Sequence, residues 1–258
     1  MKTASIATFT PRREALRLSV ESLIPQMDVI NVYLNDYDEV PDFLGHPKVN
    51  ALLGKDAEGD LLASAKFFWC PFISEGYHFT CDDDLYYPDD YAERMIAEVD
   101  RWRGKAIVTA HAFRYKAPFD SVLCHDAFAC LTDTTDAWVH IPGTGVMCYD
   151  ASVIQIPRDD FCSNNTEDWH LGVGCQKREV PVRVIAHSKE WIGYHWDGPT
   201  IWASEYAAGY PKRREVLKSW PEWTLYSVDD DGNVVEGETI AFEEKTQPTR
   251  RLLRKLIR

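Results

Sequence analysis

Asp82, Asp83 and Asp84 follow directly on Tyr77-His-Phe-Thr-Cys81 and stand just ahead of Pro88-Asp-Asp90. Tyr77 to Cys81 is rich in aromatic and β-compatible residues and reads as a short buried strand, while Pro88 and the two acids behind it announce a helix. Three adjacent carboxylates at the end of a buried strand repel one another unless a cation or a ring of donors sits among them. Side chains two apart on an extended chain point the same way, which would let Asp82 and Asp84 reach one ion together. Oxygen-only ligation suits Mg²⁺ or Mn²⁺, ions that often bridge to phosphate oxygens. The competing reading is a solvated acidic turn capping the next helix.

The elements that must position these acids follow from the spacing of apolar residues. Ser5 to Phe9 reads as a short apolar strand. Thr10 can cap the next helix and Pro11 fits its first position, where no amide donor is needed. Leu16, Val20, Leu23 and Ile24 fall at helical spacing, Pro25 ends the run, and Val29 to Leu34 reads as a second strand finishing at Asn35-Asp36. Strand, helix and strand make a βαβ unit with a right-handed crossover. A weaker strand is expected from Lys48 to Leu53. Beyond Gly59-Asp60 a helix should carry Leu61, Leu62, Ala65, Phe68 and the single cation Lys66. The Asp82 strand follows, then a helix from about Asp90 to Trp102 and a strand from Ala106 to Ala110. This alternation predicts an α/β fold with a mostly parallel central sheet flanked by helices.

From His111 to His140 the rhythm breaks and no element can be placed. Pro142-Gly-Thr-Gly145 reads as a loop into a strand, Val146 to Tyr149. A helix is expected from Glu167, with Leu171 and Cys175 inward, and a strand from Pro181 to Ala186 ends at His187. Further on, Asp230-Asp-Gly-Asn233 between two apolar runs predicts a hairpin. The expected organisation is a domain over 1–198, an aromatic hairpin extension over 199–248 packed on it, and a basic amphipathic tail over 249–258. The tail sets Leu252, Leu253, Leu256 and Ile257 against Arg250, Arg251, Arg254, Lys255 and Arg258. It fits either an interfacial helix in peripheral contact with a membrane or a helix packed on its own domain.

The chain has 258 residues, 45% hydrophobic and 12% aromatic, which is enough for a sizeable core. A net charge of −13 argues against a general nucleic-acid binder, although a divalent metal and a few local cations can still screen an anionic nucleotide. Seven cysteines without a CxxC pair fit free thiols in a reducing cytosol. Met1 to Ala7 begins directly with what reads as a strand, and no apolar run approaches the ~18 residues of a membrane span. The expected location is cytoplasmic.

In an open parallel sheet, ligands bind at the carboxyl ends of the strands. The polar residues gathered there are Thr8, Thr10 and Arg12 after the first strand, Asn35 and Asp36 after the second, Asp82 to Asp84, and His187 after the last. Taken singly, Thr10 is a cap, Asn35-Asp36 is a turn, and His187 is a core histidine. Together they describe a site. GxGxxG, Walker, HExxH and GxSxG patterns are all absent. Gly143-Thr-Gly145 is too short to cradle a phosphate alone and reads as a close backbone approach or a tight loop.

Ala7-Thr-Phe-Thr-Pro-Arg12, with Val20-Glu-Ser-Leu-Ile-Pro-Gln26 behind it, resembles the opening of GT-A-fold glycosyltransferases, especially bacterial polysaccharide-building enzymes. Val32-Tyr-Leu-Asn35-Asp36 is similar to their second strand, Ala63-Ser-Ala-Lys66 to the segment before the metal motif, and Asp82-Asp-Asp84 to their DxD motif. Glu167-Asp168, opening a helix that leads to Pro181-Val-Arg-Val184, is similar to their acidic catalytic pair. The likeness covers about residues 3 to 190 and leaves out 111–140. It implies an inverting enzyme that transfers a sugar from a nucleotide-sugar donor, UDP-linked by this expectation, to a hydroxyl of a glycan or lipid-linked acceptor. By the same likeness Thr8, Arg12, Asn35, Asp36 and Lys66 border the nucleotide, with Asp83 beside them. Asp82 touches the donor directly or through Mn²⁺ or Mg²⁺, Asp84 binds the ion with His187 as third ligand and His195 in reserve, and Asp168 is the general base beside Glu167. This chain has Asn35 where many relatives carry Asp. The alternatives kept open are a nucleotidyltransferase on a related sheet, which would prefer a glycine- and lysine-rich first loop, and a non-catalytic carbohydrate-binding module whose late tryptophans stack on sugars.

Overall fold

A computed structural model describes residues 1–161 and 165–244 of the chain. An eight-stranded sheet forms its centre. Four parallel neighbours make one half: β1 (Lys2–Thr8), β2 (Val29–Leu34), β3 (Val49–Leu53) and β4 (Tyr77–Cys81), in spatial order β3-β2-β1-β4. Beyond β4 lie Val146–Asp150, Ile107–Thr109, Val182–Val184 and Ala137–Val139. Val146–Asp150 and Ala137–Val139 run against the rest, so six of the eight strands are parallel. The mostly parallel α/β sheet expected from the alternation is therefore what the chain forms.

Helix α1 (Arg13–Leu23) returns the chain from β1 to β2 and buries Leu16, Val20 and Leu23 against Ile6, Ile30 and Val32. Each such side chain, fully removed from water, is worth about 1.5–3 kcal/mol. Helix α2 (Tyr91–Arg101) packs Tyr91, Met95 and Val99 on the same face. Thr10-Pro11-Arg12 forms a 3₁₀ turn ahead of α1 instead of its first turn. The helix expected near Lys66 is also a short 3₁₀ segment, Leu62–Phe67. Its start is fixed by Leu62 at φ +54° and by Asn35, whose amide donates to the Leu62 carbonyl and removes it from helical pairing.

The stretch that lacked a period leaves the sheet. Ala112–Tyr115 and His125–Phe128 pair with each other, and Ile141–Pro142 joins them to form a small antiparallel sheet. Helix α3 (Glu167–Arg178) covers it with Trp169, Leu171 and Val173 inward. The hairpin Glu222–Val228 with Val234–Ala241 packs against α3, and Trp223 is fully buried beside Trp169 and Tyr115. Gln176 ties the two together, donating to the Thr224 carbonyl at 2.9 Å and accepting from its amide at 2.7 Å. The basic tail lies outside the described residues, and among those described no helix is long and apolar enough to cross a membrane.

Candidate active site

The carboxyl ends of β1, β2 and β4 open into a cavity of about 620 Å³, closed on the far side by the Gly143–Gly145 loop and the start of α3. Arg12 extends across the end of β4, with Nη1 2.7 Å from Asp83 Oδ1 and 2.9 Å from Asp84 Oδ2. Lys66, fully inside the protein, forms an ion pair with Asp82. The acids are thus shared differently from the extended-chain expectation. Asp83 and Asp84 meet one cation because the backbone turns there, while Asp82 faces another. The tie is completed by the Asp84 carbonyl, which accepts the His195 amide at 3.0 Å.

Burial and the crowding of like charges set the protonation. Burial pushes the Asp84 carboxyl up to about 7, helped by the charge of Asp82 and resisted by Arg12. Asp83 is also raised, burial outweighing Arg12. Asp82 is held low, because Lys66 and Arg12 overcome its burial. Burial disfavours the Lys66 ammonium, but Asp82, Glu167 and Asp168 together hold its pKa above the ordinary range.

The Gly143-Thr144-Gly145 loop brings the second acidic pair to the first. Thr144 is buried and donates to Asp168 Oδ1 twice, from its amide at 2.8 Å and its hydroxyl at 2.7 Å. Two donors on one oxygen fix that carboxylate at the mouth of α3, where the helix N-terminus also favours negative charge. Gly145 is needed because a Cβ there would overlap the Asp82 carboxylate, and its carbonyl accepts from the Asp82 amide at 3.1 Å. A Cβ on Gly143 would lie 2.7 Å from the Cβ of His111. The glycines let the loop touch the acid strand and His111 rather than a ligand. Glu167 lies beside Lys66, its Oε2 enclosed without a hydrogen-bond partner, and burial, aided by Asp168, pushes its carboxyl up to about 7 against the pull of Lys66.

The other expected residues fall in three groups. Thr8, Asn35 and Asp36 line the same cavity. Asn35 uses its amide on the backbone, donating to the Thr8 and Leu62 carbonyls at 3.1 Å each and accepting from Leu61 at 3.0 Å. Asp36 caps Thr10, accepting its amide at 2.6 Å. His187 is not brought to the acids. Its Nε2 lies 2.9 Å from the Ala110 carbonyl and its Nδ1 3.1 Å from that of Ser188, so neither nitrogen turns a lone pair to the cavity. His195 is exposed, its ring edge-on to Tyr86 at 5.7 Å.

Two lining residues carry no signal in the sequence. His111 stands in the aperiodic stretch, accepts the Cys130 amide on Nδ1 at 3.3 Å, and has its pKa lowered by burial against the pull of Asp168 and Asp82. Arg213 comes from α4 (Pro211–Ser219), far down the chain. Only folding places either one here.

A divalent ion would meet a donor set rich in carboxylates. Asp82 to Asp84, Glu167 and Asp168 bring five carboxylates to one cavity whose lining cations near them are Arg12 and Lys66. Asp83 Oδ2 and Glu167 Oε2 are buried without partners. Among the described residues no three His, Cys, Asp or Glu side chains converge as a ligand set. This fits an ion such as Mg²⁺ or Mn²⁺ that takes one or two carboxylates and completes its shell with water and phosphate. It does not fit a closed protein cage.

Among the solved structures that resemble this one are S. aureus TarS and a nucleotidyl transferase from Methanothermobacter thermautotroptrophicus. S. aureus TarS (residues 1–349) is 11% identical, with a TM-score of 0.44 over 72% of this chain. The match spans 58% of the TarS chain. A nucleotidyl transferase from Methanothermobacter thermautotroptrophicus is also 11% identical, with a TM-score of 0.45 over 85% of this chain and 99% of that one. No protein-family model matches the chain, and no curated protein matches it.

Proposed function

We propose that the chain is a nucleotide-sugar-dependent glycosyltransferase of the GT-A type, acting on a hydroxyl of a glycan or lipid-linked acceptor. The observation that carries this reading is the pairing of two devices in one cavity. A carboxylate, Asp168, is held by two donors from Thr144, and it shares the cavity with two cations, buried Lys66 and half-buried Arg12, at the end of a parallel strand. Transfer needs both. The acceptor oxygen bonds to the anomeric carbon as the bond from that carbon to the diphosphate oxygen breaks, and its electron pair leaves with the nucleoside diphosphate. The acceptor proton passes to Asp168. Lys66 and Arg12 would offset the negative charge that develops on the leaving group. A divalent ion, held through Asp84 and Asp82, would add to that offset when bound. Attack on the face opposite the leaving group inverts the anomeric centre.

The test is thermal unfolding with nucleoside diphosphates and nucleotide sugars, each with and without Mn²⁺, followed by a transfer assay. A ligand confined to the folded state raises Tm with its concentration over Kd. Asp168→Asn should keep the nucleotide-induced shift while transfer falls about 10²–10⁴-fold. No shift with any nucleotide at millimolar concentration, or pyrophosphate release from a nucleoside triphosphate and a sugar phosphate, would overturn the proposal.

A further inference from the structure

The two carboxylates that would hold a divalent ion, Asp82 and Asp84, are each already paired with a cation of the protein. Lys66 pairs with Asp82, and a single nitrogen of Arg12, Nη1, covers both Asp83 Oδ1 at 2.7 Å and Asp84 Oδ2 at 2.9 Å. The two cations are held differently. Lys66 is buried under the charges of Asp82, Glu167 and Asp168, a place it could leave only by stranding all three. Arg12 lines the cavity from the 3₁₀ turn that follows β1, with the Phe9 and Trp196 ring centroids 5.3 Å and 5.4 Å from its guanidinium carbon. Its Nε is enclosed without a hydrogen-bond partner, so the planar fork of donors is only partly used. Trp196 is fixed in turn. Its Nε1 donates to the Pro199 carbonyl at 3.0 Å, and a Cβ on Gly198 would overlap its ring. The His195 amide, bonded to the Asp84 carbonyl, pins this turn to the acid strand.

We infer that Arg12 is an exchangeable counter-ion. It covers Asp83 and Asp84 while the donor is absent, and the donor diphosphate draws it off, which opens Asp84 to the divalent ion. The inference rests on the glycosyltransferase reading and adds to it an order of binding. One guanidinium and one divalent ion compete here for one carboxylate oxygen. An ion on Asp84 Oδ2 would lie against Nη1 and be repelled by it. A diphosphate offers the guanidinium fork two oxygens at once, a better match than one nitrogen shared by two carboxylates. The attraction of the two aromatic faces has little direction, so the guanidinium can turn from acid to phosphate without losing it. Ion and nucleotide then each bind better when the other is present, and by the same factor.

Equilibrium dialysis of Mn²⁺, alone and with saturating UDP or pyrophosphate, tests it on the wild-type chain, Arg12→Gln and Arg12→Lys. The wild type should bind Mn²⁺ at least about tenfold more tightly with a diphosphate than without one. Arg12→Gln should bind Mn²⁺ alone about tenfold more tightly than the wild type does, and the gain from the diphosphate should shrink by a similar factor. Arg12→Lys sets its charge one atom nearer the backbone and should show the same changes in smaller measure, which keeps the test readable if Arg12→Gln lowers the melting temperature. Mn²⁺ affinity left unchanged by both substitutions in the absence of a diphosphate would overturn the inference. So would a rise by the same factor with and without the diphosphate, since a fixed neighbouring charge would give that result. Failure of the wild type to bind UDP or pyrophosphate would instead sink the glycosyltransferase reading, and the Mn²⁺ affinities measured without them would still decide whether Arg12 covers Asp84.

Discussion

Replacing Glu167 by Gln should flatten the pH dependence of stability between pH 5 and 8. The Glu167 carboxyl stands at about 7 against an ordinary 4.5, because burial and then the neighbouring carboxylate of Asp168 oppose its charge more than Lys66 favours it. A carboxyl whose pKa is raised by folding binds its proton more tightly in the folded chain. Its contribution is therefore fully present below pH 4.5 and lost as pH rises through 7. At about 1.4 kcal/mol per pH unit, the displacement amounts to about 3 kcal/mol by pH 8. Gln keeps the shape of the neutral acid and cannot ionise, so the variant should match the wild type near pH 4.5 and be more stable by up to that amount at pH 8. Asp84 titrates over the same range in both proteins and largely cancels in the difference. Urea unfolding of both chains at pH 5 and pH 8 measures it. Equal loss of stability in the two would show that the enclosed Oε2 carries no such cost, and the account of the cavity as over-supplied with carboxylates would fail.

Lys66→Met should destabilise the chain by about 1–3 kcal/mol, since it removes the counter-charge of Asp82, Glu167 and Asp168, with solvent at the 39% exposed Asp82 side chain screening part of the loss. A shift of less than about 1 kcal/mol in urea unfolding would mean that Asp82 finds solvent instead. Gly145→Ala forces the Asp82 carboxylate away from Lys66, so nucleotide affinity should drop about tenfold or more while the circular dichroism spectrum is kept. Unaltered calorimetric affinity would show that the acid strand does not hold the donor. Thr144→Val removes one of two hydrogen bonds to a charged acceptor, worth about 1.5–3 kcal/mol. Transfer should fall about 10–100-fold with donor affinity unchanged, and a loss confined to affinity would contradict the placement of Asp168 as base.

Much of the architecture was readable before folding because it is written in local periods. Alternating and helical runs of apolar residues marked β1 through β4, α1, α2 and α3 to within a few residues. The aspartates at the end of β4 and the acidic pair at the head of α3 were visible as charge placed where a chain leaves a buried element. Local pattern failed where geometry depends on distant partners. The helix near Lys66 is a 3₁₀ segment because Asn35, on another strand, takes the Leu62 carbonyl. Strands 112–115 and 125–128 were missed because their pairing is long-range and their burial is uneven along each strand.

The sequence by itself determined the buried faces of the periodic elements, which strand ends bear acid, and that the sheet would be mostly parallel, since these follow from side-chain period and from the distance a crossover must span. Tertiary structure decided who faces whom. It gave Asp82 to Lys66 and both Asp83 and Asp84 to Arg12, turned His187 onto backbone carbonyls, and set Thr144 under Asp168. It also carried His111 and Arg213 into the cavity from segments with no readable signal. Charge pairing in a low-dielectric cavity depends on ångström distances between residues scores of positions apart, and only the packed chain sets those distances.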